Sequence, residues 1–384
     1  MDELHDHKPT ECRGCGKRLH GADAAPLRHQ VTEIPPITPH VSEHRLHALR
    51  CSCCDEVTRA VLPQGISRGA FGTRLQSVAS VLSGAYRLSK RNVESLLADL
   101  FGVELSLGSI KALEDQTSAA LAAPVEEAQR WVKEHPCAQL DETGWRHQNK
   151  RSWLWTAVAG PVASFLIRSS RAGKIAKELV GECFGGVVCS DRWSAYNWID
   201  VLHRQICWAH LKRDFRKIAE MGGVAEALGE ALEAQTKELF KHWHRVRDGT
   251  LKRSSFSVYA SRIRVEVRAL LGAGMDCCVS KASGMCKQIL KVERAMWTFV
   301  RIPGVEPTNN AAERALRHAV IWRKTSFGTQ SEAGRSFVER MLTTVTSLRL
   351  QHRNVLEYVT EACRSALTGP VAPTLLPATL PSQG

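Results

Sequence analysis

The sequence predicts an α/β protein, and three observations carry that expectation. The 384 residues, 43% hydrophobic and 24% charged, have ordinary globular composition and enough length for two or three domains. Apolar residues recur at helical spacing after residue 73, and short apolar runs bounded by turn residues follow from residue 137. No uncharged apolar run approaches the ~18 residues of a membrane helix, and the longest, 152–167, is broken by Gly160-Pro161. The start, MDELHDHKPTECRGC, has acids and histidines where a secretory signal carries a basic start and an apolar stretch, so no export and no membrane is expected.

Lysine and arginine exceed aspartate and glutamate by 52 − 39 = 13, which favours a polyanionic partner held through phosphates, with nucleic acid ahead of an acidic membrane surface. Thirteen cysteines, an odd number in a long chain, favour metal ligation and buried thiols over a disulfide framework.

Residues 1–65 are expected to form a zinc-binding module. Cys12 and Cys15 are separated by two residues, and Cys51 and Cys54 repeat that spacing, which lets both sulfurs of a tight turn meet one tetrahedral Zn²⁺. Cys53 could replace a neighbour, and seven of the fifteen histidines lie before residue 51, so a Cys/His mixture and free thiols stay open. Four protein ligands leave no open position, so such a zinc is structural.

Residues 66–135 read as three or more short helices. Leu75, Val78, Ala79 and Leu82 make the first; Ser89 caps a second that ends before Gly102; Ser106 caps a third with Ile110 and Leu113. The pattern suits a helix-turn-helix that presents Ser109 and Lys111 to DNA, or equally a small helical linker.

Residues 136–368 carry the clearest strand signals. Strands are expected at 137–145, 153–159, 162–167, 186–189 and 205–208, with a helix at 172–180 and a basic helix at 211–219. Three antiparallel strands, a helix and a strand parallel to the first make the order of an RNase H-like core, which places Asp141 beside Asp191. Paired carboxylates of this kind call for a hard divalent cation such as Mg²⁺ or Mn²⁺. A third acid is expected from PTNNAAERALR, where Thr308 or Asn309 caps a helix with Glu313 in its first turn and Arg314 and Arg317 beside it. Each acid alone could be a plain strand-end residue, or in Glu313 a partner for Arg317. Strand alternation is expected to turn Glu142 away from Asp141.

Six ordered stretches now carry a resemblance: EIPPITPHVSEHRLHALRCSCC, QLDETGWR, SDRWSAYN, CWAHLKRDF, PTNNAAERALR and WRKTSFGTQSEAGRSFVERMLTTVTSLRLQHRNVLEYV. Over residues 12–359 the chain resembles the IS66 family of bacterial insertion-sequence transposases. The resemblance implies a zinc module, a helix-turn-helix and a catalytic core with the triad Asp141, Asp191 and Glu313. It further implies metal-dependent cutting of 3′ ends and transfer of the freed hydroxyls to target DNA, assembly as a homo-oligomer on DNA, helper proteins of the same element, and a cytoplasmic, nucleoid-associated life. A helical segment usually precedes the zinc module in the family pattern, whereas Cys12 here lies near residue 1. The rival classes are a non-catalytic DNA-binding protein, domesticated or inactive, and a nuclease that hydrolyses without joining.

Asp191 and Glu313 are 313 − 191 = 122 residues apart, so about 221–301 is expected to be an insertion. Within it, 241–268 holds eight basic residues against two acidic, with Trp243, Phe256 and Tyr259 among them, a mixture that suits DNA as much as a solvated helix. His210 is expected near the carboxylates, as a metal ligand or phosphate contact. Lys212, Arg213, Arg323 and Lys324 are expected on phosphates. Residues 369–384, rich in Pro, Ala, Thr and Leu, read as a disordered tail.

Overall fold

The computed structural model describes residues 2–369 and 371–378. The chain divides into two units, one reaching to His40 and the other starting at Val41. The first is open chain apart from a turn around Cys12, closed by a bridge between Glu11 and Arg18.

The second unit begins with a hairpin of β1 (Ala48–Arg50) and β2 (Val57–Arg59). Four helices follow: α1 (Thr73–Gly84), α2 (Lys90–Phe101), α3 (Leu107–Ala120) and α4 (Ala122–Glu134). Ser89 and Ser106 cap α2 and α3 by accepting the N–H of Asn92 and Ser109, and Gly102 ends α2 in the left-handed region at φ +61°. Val93, Leu97, Leu105, Ile110 and Leu113 give these helices a small core of their own. Val125, Ala128 and Val132 of α4 join the core of the sheet that follows, as do Val81 of α1 and Ala120 of α3.

The sheet has five strands: β3 (Cys137–His147), β4 (Lys150–Ala159), β5 (Val162–Arg168), β6 (Val187–Ser190) and β7 (Arg204–Ile206), in the order β5-β4-β3-β6-β7. β3, β4 and β5 pair antiparallel, and β6 and β7 extend the sheet parallel to β3. Between β5 and β6 runs α5 (Gly173–Val180); after β7 comes α6 (Trp208–Ala219). The remaining helices are α7 (Val224–Arg247), α8 (Arg253–Met275), α9 (Ser280–Leu290), α10 (Thr298–Arg301), α11 (Asn310–Ser326), α12 (Glu332–Leu350) and α13 (Val355–Thr368).

The outer edge of β5 is closed by side chains. Glu339, Thr343 and Ser347, one turn apart on α12, accept the N–H groups of Ile167, Phe165 and Ala163 at 2.6, 3.2 and 3.0 Å. Four residues of helix rise ~6 Å and two residues of strand ~6.6 Å, so the two periods match over three rungs, and an edge that would template pairing is satisfied.

α7 to α10 enclose a second core, built on Trp243, Phe256, Ile263, Trp297 and Phe299 together with Trp208 and Phe215 of α6, Val187 of β6 and Ile206 of β7. Of the aromatics whose mixture suited DNA or a solvated helix, Trp243 and Phe256 are buried against Phe299, and Tyr259, still exposed, stacks on His242 at 4.1 Å. α6 and α7 pass so close that a Cβ on Gly229 would lie 2.3 Å from the Ala219 nitrogen.

The tail also departs from expectation. Leu375 is fully buried, its N–H and the Thr374 hydroxyl donate to Glu127, and Tyr358 donates to the Pro373 carbonyl at 2.6 Å. Apolar residues among the prolines find a groove beside α4 and α13, which composition alone hides. Residues 370 and 379–384 lie outside the described residues. Among the described residues no helix is long and apolar enough to cross a membrane.

Candidate active site

Strand register creates the site. The last parallel pair between β3 and β6 is Gln139 with Cys189, so Asp141, inside β3, and Asp191, the residue after β6, each stand two residues beyond it. β6 stops there, and Asp191 Oδ1 accepts the N–H of Trp193 at 2.9 Å.

α11 is fastened to the same stretch of β3. Asn309 is fully buried and donates from Nδ2 to the Leu140 carbonyl at 3.1 Å, while the Ala311 N–H donates to Gln139 Oε1 at 2.9 Å. Asn309 is the N-cap residue by position, yet its side chain holds the strand and does not cap its own helix. Glu313 follows in the first turn and is thereby delivered to Asp141. It does not need Arg317: it meets His210 and Arg213 across the cleft, at 3.5 and 3.4 Å.

α6 arrives by a parallel device. The Cys207 N–H donates to the Ser190 carbonyl and the Trp208 N–H to the Pro307 carbonyl, both at 2.9 Å, and the Asn309 N–H reaches Cys207 Sγ at 3.5 Å. One donor atom from each of Cys207, His210 and Glu313 lies within 4.8 Å of the other two, a group able to hold a metal ion. His210 Nδ1 is buried without a hydrogen bond.

Charge explains why these acids do not simply repel the fold apart. Burial, followed by the nearby Glu142 carboxylate and then Asp191 and Glu313, pushes Asp141 up to about 7, against the pull of the Glu142 N–H. Burial and the Arg213 charge lower His210, so its ring favours the neutral form. The charges of Asp191 and Glu313 thus reach Asp141, while the group close enough to share one metal ion is Cys207, His210 and Glu313.

Glu142 differs from expectation. Alternation does turn it from Asp141, but the opposite face is covered: the side chain is 2% exposed, Arg171 donates to it at 2.7 Å and the Tyr196 hydroxyl at 2.5 Å. Its charge bears on both Asp141 and Asp191. Arg204, 3% exposed, donates to the Asp191 carbonyl at 2.9 Å and to Asn197, and is lowered to about 10 by burial. Neither Arg171, Tyr196 nor Arg204 was legible beforehand, although Arg171 and Tyr196 lie within a few residues of strand ends.

Among the basic candidates, Lys212, Arg213, Arg314, Arg317 and Lys324 are exposed. Arg323 is not free: its guanidinium donates to the Gly144 carbonyl and Thr143, fastening the far end of α11 to β3. On α3, Lys111 pairs with Asp115 one turn on, and Ser109 is shared with the Ser106 cap. Ile110, Leu113 and Thr117 bury one side of that helix, and its exposed positions are Leu107, Gly108, Ala112, Gln116 and Ala119.

The two cysteine pairs, each in its own unit, have the same local backbone. The Cys12 N–H donates to Lys17 O and the Gly16 N–H to Cys12 O, both at 2.9 Å; the Cys51 N–H donates to Glu56 O at 2.8 Å and the Asp55 N–H to Cys51 O at 3.0 Å. Gly16 and Asp55 close these turns in the left-handed region, at φ +71° and +62°. N–H groups of Gly14 and Cys15 lower the Cys12 thiol, and those of Cys53 and Cys54 lower Cys51. Thiolates are the form that binds metal.

A family model described as "Transposase IS66 family" matches residues 68–336. Two relatives from Sinorhizobium fredii (strain NBRC 101917 / NGR234) are each 25% identical: "Uncharacterized protein y4qI" over 362 residues, covering 85% of this chain and 65% of that protein, and "Uncharacterized protein y4hP" over 386 residues, covering 89% and 68%. The chain therefore spans about two thirds of the length of these relatives.

Proposed function

Because the chain belongs to the IS66 transposase family, we propose that it is a DNA transposase with an RNase H-like core, which cuts the 3′ ends of its element and joins them to target DNA. The observation that supports this reading is that Asp141 and Asp191 follow the last parallel pair of β3 and β6, and that Glu313 lies on a helix fastened to β3, with the charges of Asp191 and Glu313 both acting on Asp141. The strand order β5-β4-β3-β6-β7 supports the core assignment.

Asp141, Asp191 and Glu313 would hold Mg²⁺ or Mn²⁺, with His210 beside them; a divalent cation so placed supplies Lewis acidity to the attacking and leaving oxygens of phosphoryl transfer. The chain's own groups do the rest. Arg204 and Arg171 offset the carboxylates from behind, Arg213 stands where a phosphate would cross the cleft, and Lys212, Arg314, Arg317 and Lys324 offer exposed charge for the flanking backbone. The paired knuckles support a structural Zn²⁺ on Cys12, Cys15, Cys51 and Cys54. α3, with Ser109 and Lys111, is the candidate for recognising element ends.

The test is nicking and strand transfer on labelled duplex bearing the element's ends, with Mg²⁺ or Mn²⁺. Asp141→Asn, Asp191→Asn and Glu313→Gln each lower both reactions by orders of magnitude while DNA binding persists. A Glu313→Gln protein that cuts and joins at the wild-type rate refutes the site. Glu332 is no substitute, since His147 holds it at 2.7 Å and Arg335 at 2.6 Å.

A further inference from the structure

Beside the carboxylates lies a ladder of alternating cations and indoles. The Arg171 guanidinium sits over the Trp193 ring at 4.1 Å and over the Trp153 ring at 4.6 Å, and Arg151 sits over Trp153 at 5.0 Å. Trp193 is two residues from Asp191 and tied to it through its N–H. Glu142 fixes the ladder from beneath by holding Arg171, and is itself held by the Tyr196 hydroxyl; Gly173 lets the segment approach, since a Cβ there would lie 2.5 Å from the Ala195 carbonyl.

Two members are left with capacity. Trp193 is 40% exposed, a large share for an indole already covered on one side by a guanidinium. Arg151 is exposed, and among the described residues it forms no ion pair. Arg171, by contrast, is neutralised by Glu142 and can serve only as a flat support.

We infer that Trp193 is a stacking platform for one unpaired nucleobase of the DNA strand whose backbone enters the carboxylate cluster, with Arg151 taking a phosphate of the same strand. Aromatic faces bind bases without regard to sequence, and a guanidinium behind the indole holds it flat before the base arrives. A duplex keeps its bases stacked inside, so the platform engages only single-stranded or unpaired nucleotides. The inference rests on the transposase reading and adds to it a requirement that strands open at the cut site.

Binding of the full chain is measured by fluorescence anisotropy, with labelled (dT)20 and a mixed-sequence 20-base-pair duplex as probes. Trp193→Ala and Trp193→Leu weaken (dT)20 by on the order of tenfold and leave the duplex within about twofold, whereas Trp193→Phe retains most of the affinity. Arg151→Ala weakens (dT)20 and lowers its salt slope by about one. Wild-type affinity of Trp193→Leu for (dT)20, or a loss of thermal stability in Trp193→Ala with no change in either probe, overturns the platform and leaves the transposase reading standing. A wild-type chain that binds neither probe overturns both.

Discussion

Nδ1 of His210 lies 3.5 Å from Oε1 of Glu313, close enough for attraction yet without a hydrogen bond. The two groups come from helices fixed to different strands, and a cation between them would satisfy both. Nitrogen donors favour Mn²⁺ over Mg²⁺. His210→Ala is therefore expected to raise the Mn²⁺ concentration for half-maximal nicking about tenfold and to shift the Mg²⁺ requirement less. Parallel metal titrations decide it, and equal shifts for both ions would count against ligation by His210.

Asp141 stands at about 7 in the fold, against the 3.8 of an unperturbed aspartate, with burial as the main cause. Over that window the native state holds a proton that the unfolded chain has released, so stability without metal falls as pH rises from about 4 to about 7. Asp141→Asn removes the penalty. Its melting temperature in EDTA at pH 7.5 should exceed that of the wild type by several degrees, and Mg²⁺ should raise only the wild-type value. A lower melting temperature for Asp141→Asn would contradict the electrostatic account.

Glu142→Gln is expected to cost nicking about ten- to a hundredfold with little loss of duplex binding, because Arg171 would lose its counter-charge beside Asp191. Glu306→Gln, at an exposed position before α11, is the control and should remain near wild type. Rates measured side by side at saturating metal distinguish them.

Zinc content should be close to one per chain by elemental analysis. Replacing Cys12, Cys15, Cys51 and Cys54 together by serine should abolish it, and full retention would remove the assignment.

α3 offers a substitution whose stability effect runs opposite to its binding effect. Ser109 is the third residue after the Ser106 cap, so Ser109→Glu completes a capping box and should hold or raise stability by ~0.5 kcal/mol. If α3 reads DNA, the same change weakens end binding strongly; competition with unrelated duplex measures it. Unchanged binding would move recognition elsewhere.

Much of this was legible because it is local. Ser89, Gly102 and Ser106 mark helix ends through bonds within four residues, and the Gly160-Pro161 turn separates β4 from β5. Asp141 and Asp191 could be placed together because parallel register carries them in step. What stayed hidden depends on partners distant in sequence. Nothing near Glu142 announces Tyr196, 54 residues on, and nothing near Arg323 announces the Gly144 carbonyl, 179 residues back. Trp243 and Phe256 look the same in sequence whether they stack on bases or, as here, on Phe299. Leu375 lies in a segment whose composition suggests disorder, and Glu127, 248 residues earlier, holds it.

α11 is pinned to β3 at both ends, by Asn309 on Leu140 and by Arg323 on Gly144, whereas α6 shares its core with the insertion, with Trp208 Nε1 bonded to Met296 O at 2.7 Å. Glu313 thus stands on a helix packed into the core of the sheet, and His210 on a helix packed into the second core. The cleft between them is a seam where two separately built cores meet, stitched at its base by the Trp208 N–H on the Pro307 carbonyl and the Asn309 N–H on Cys207.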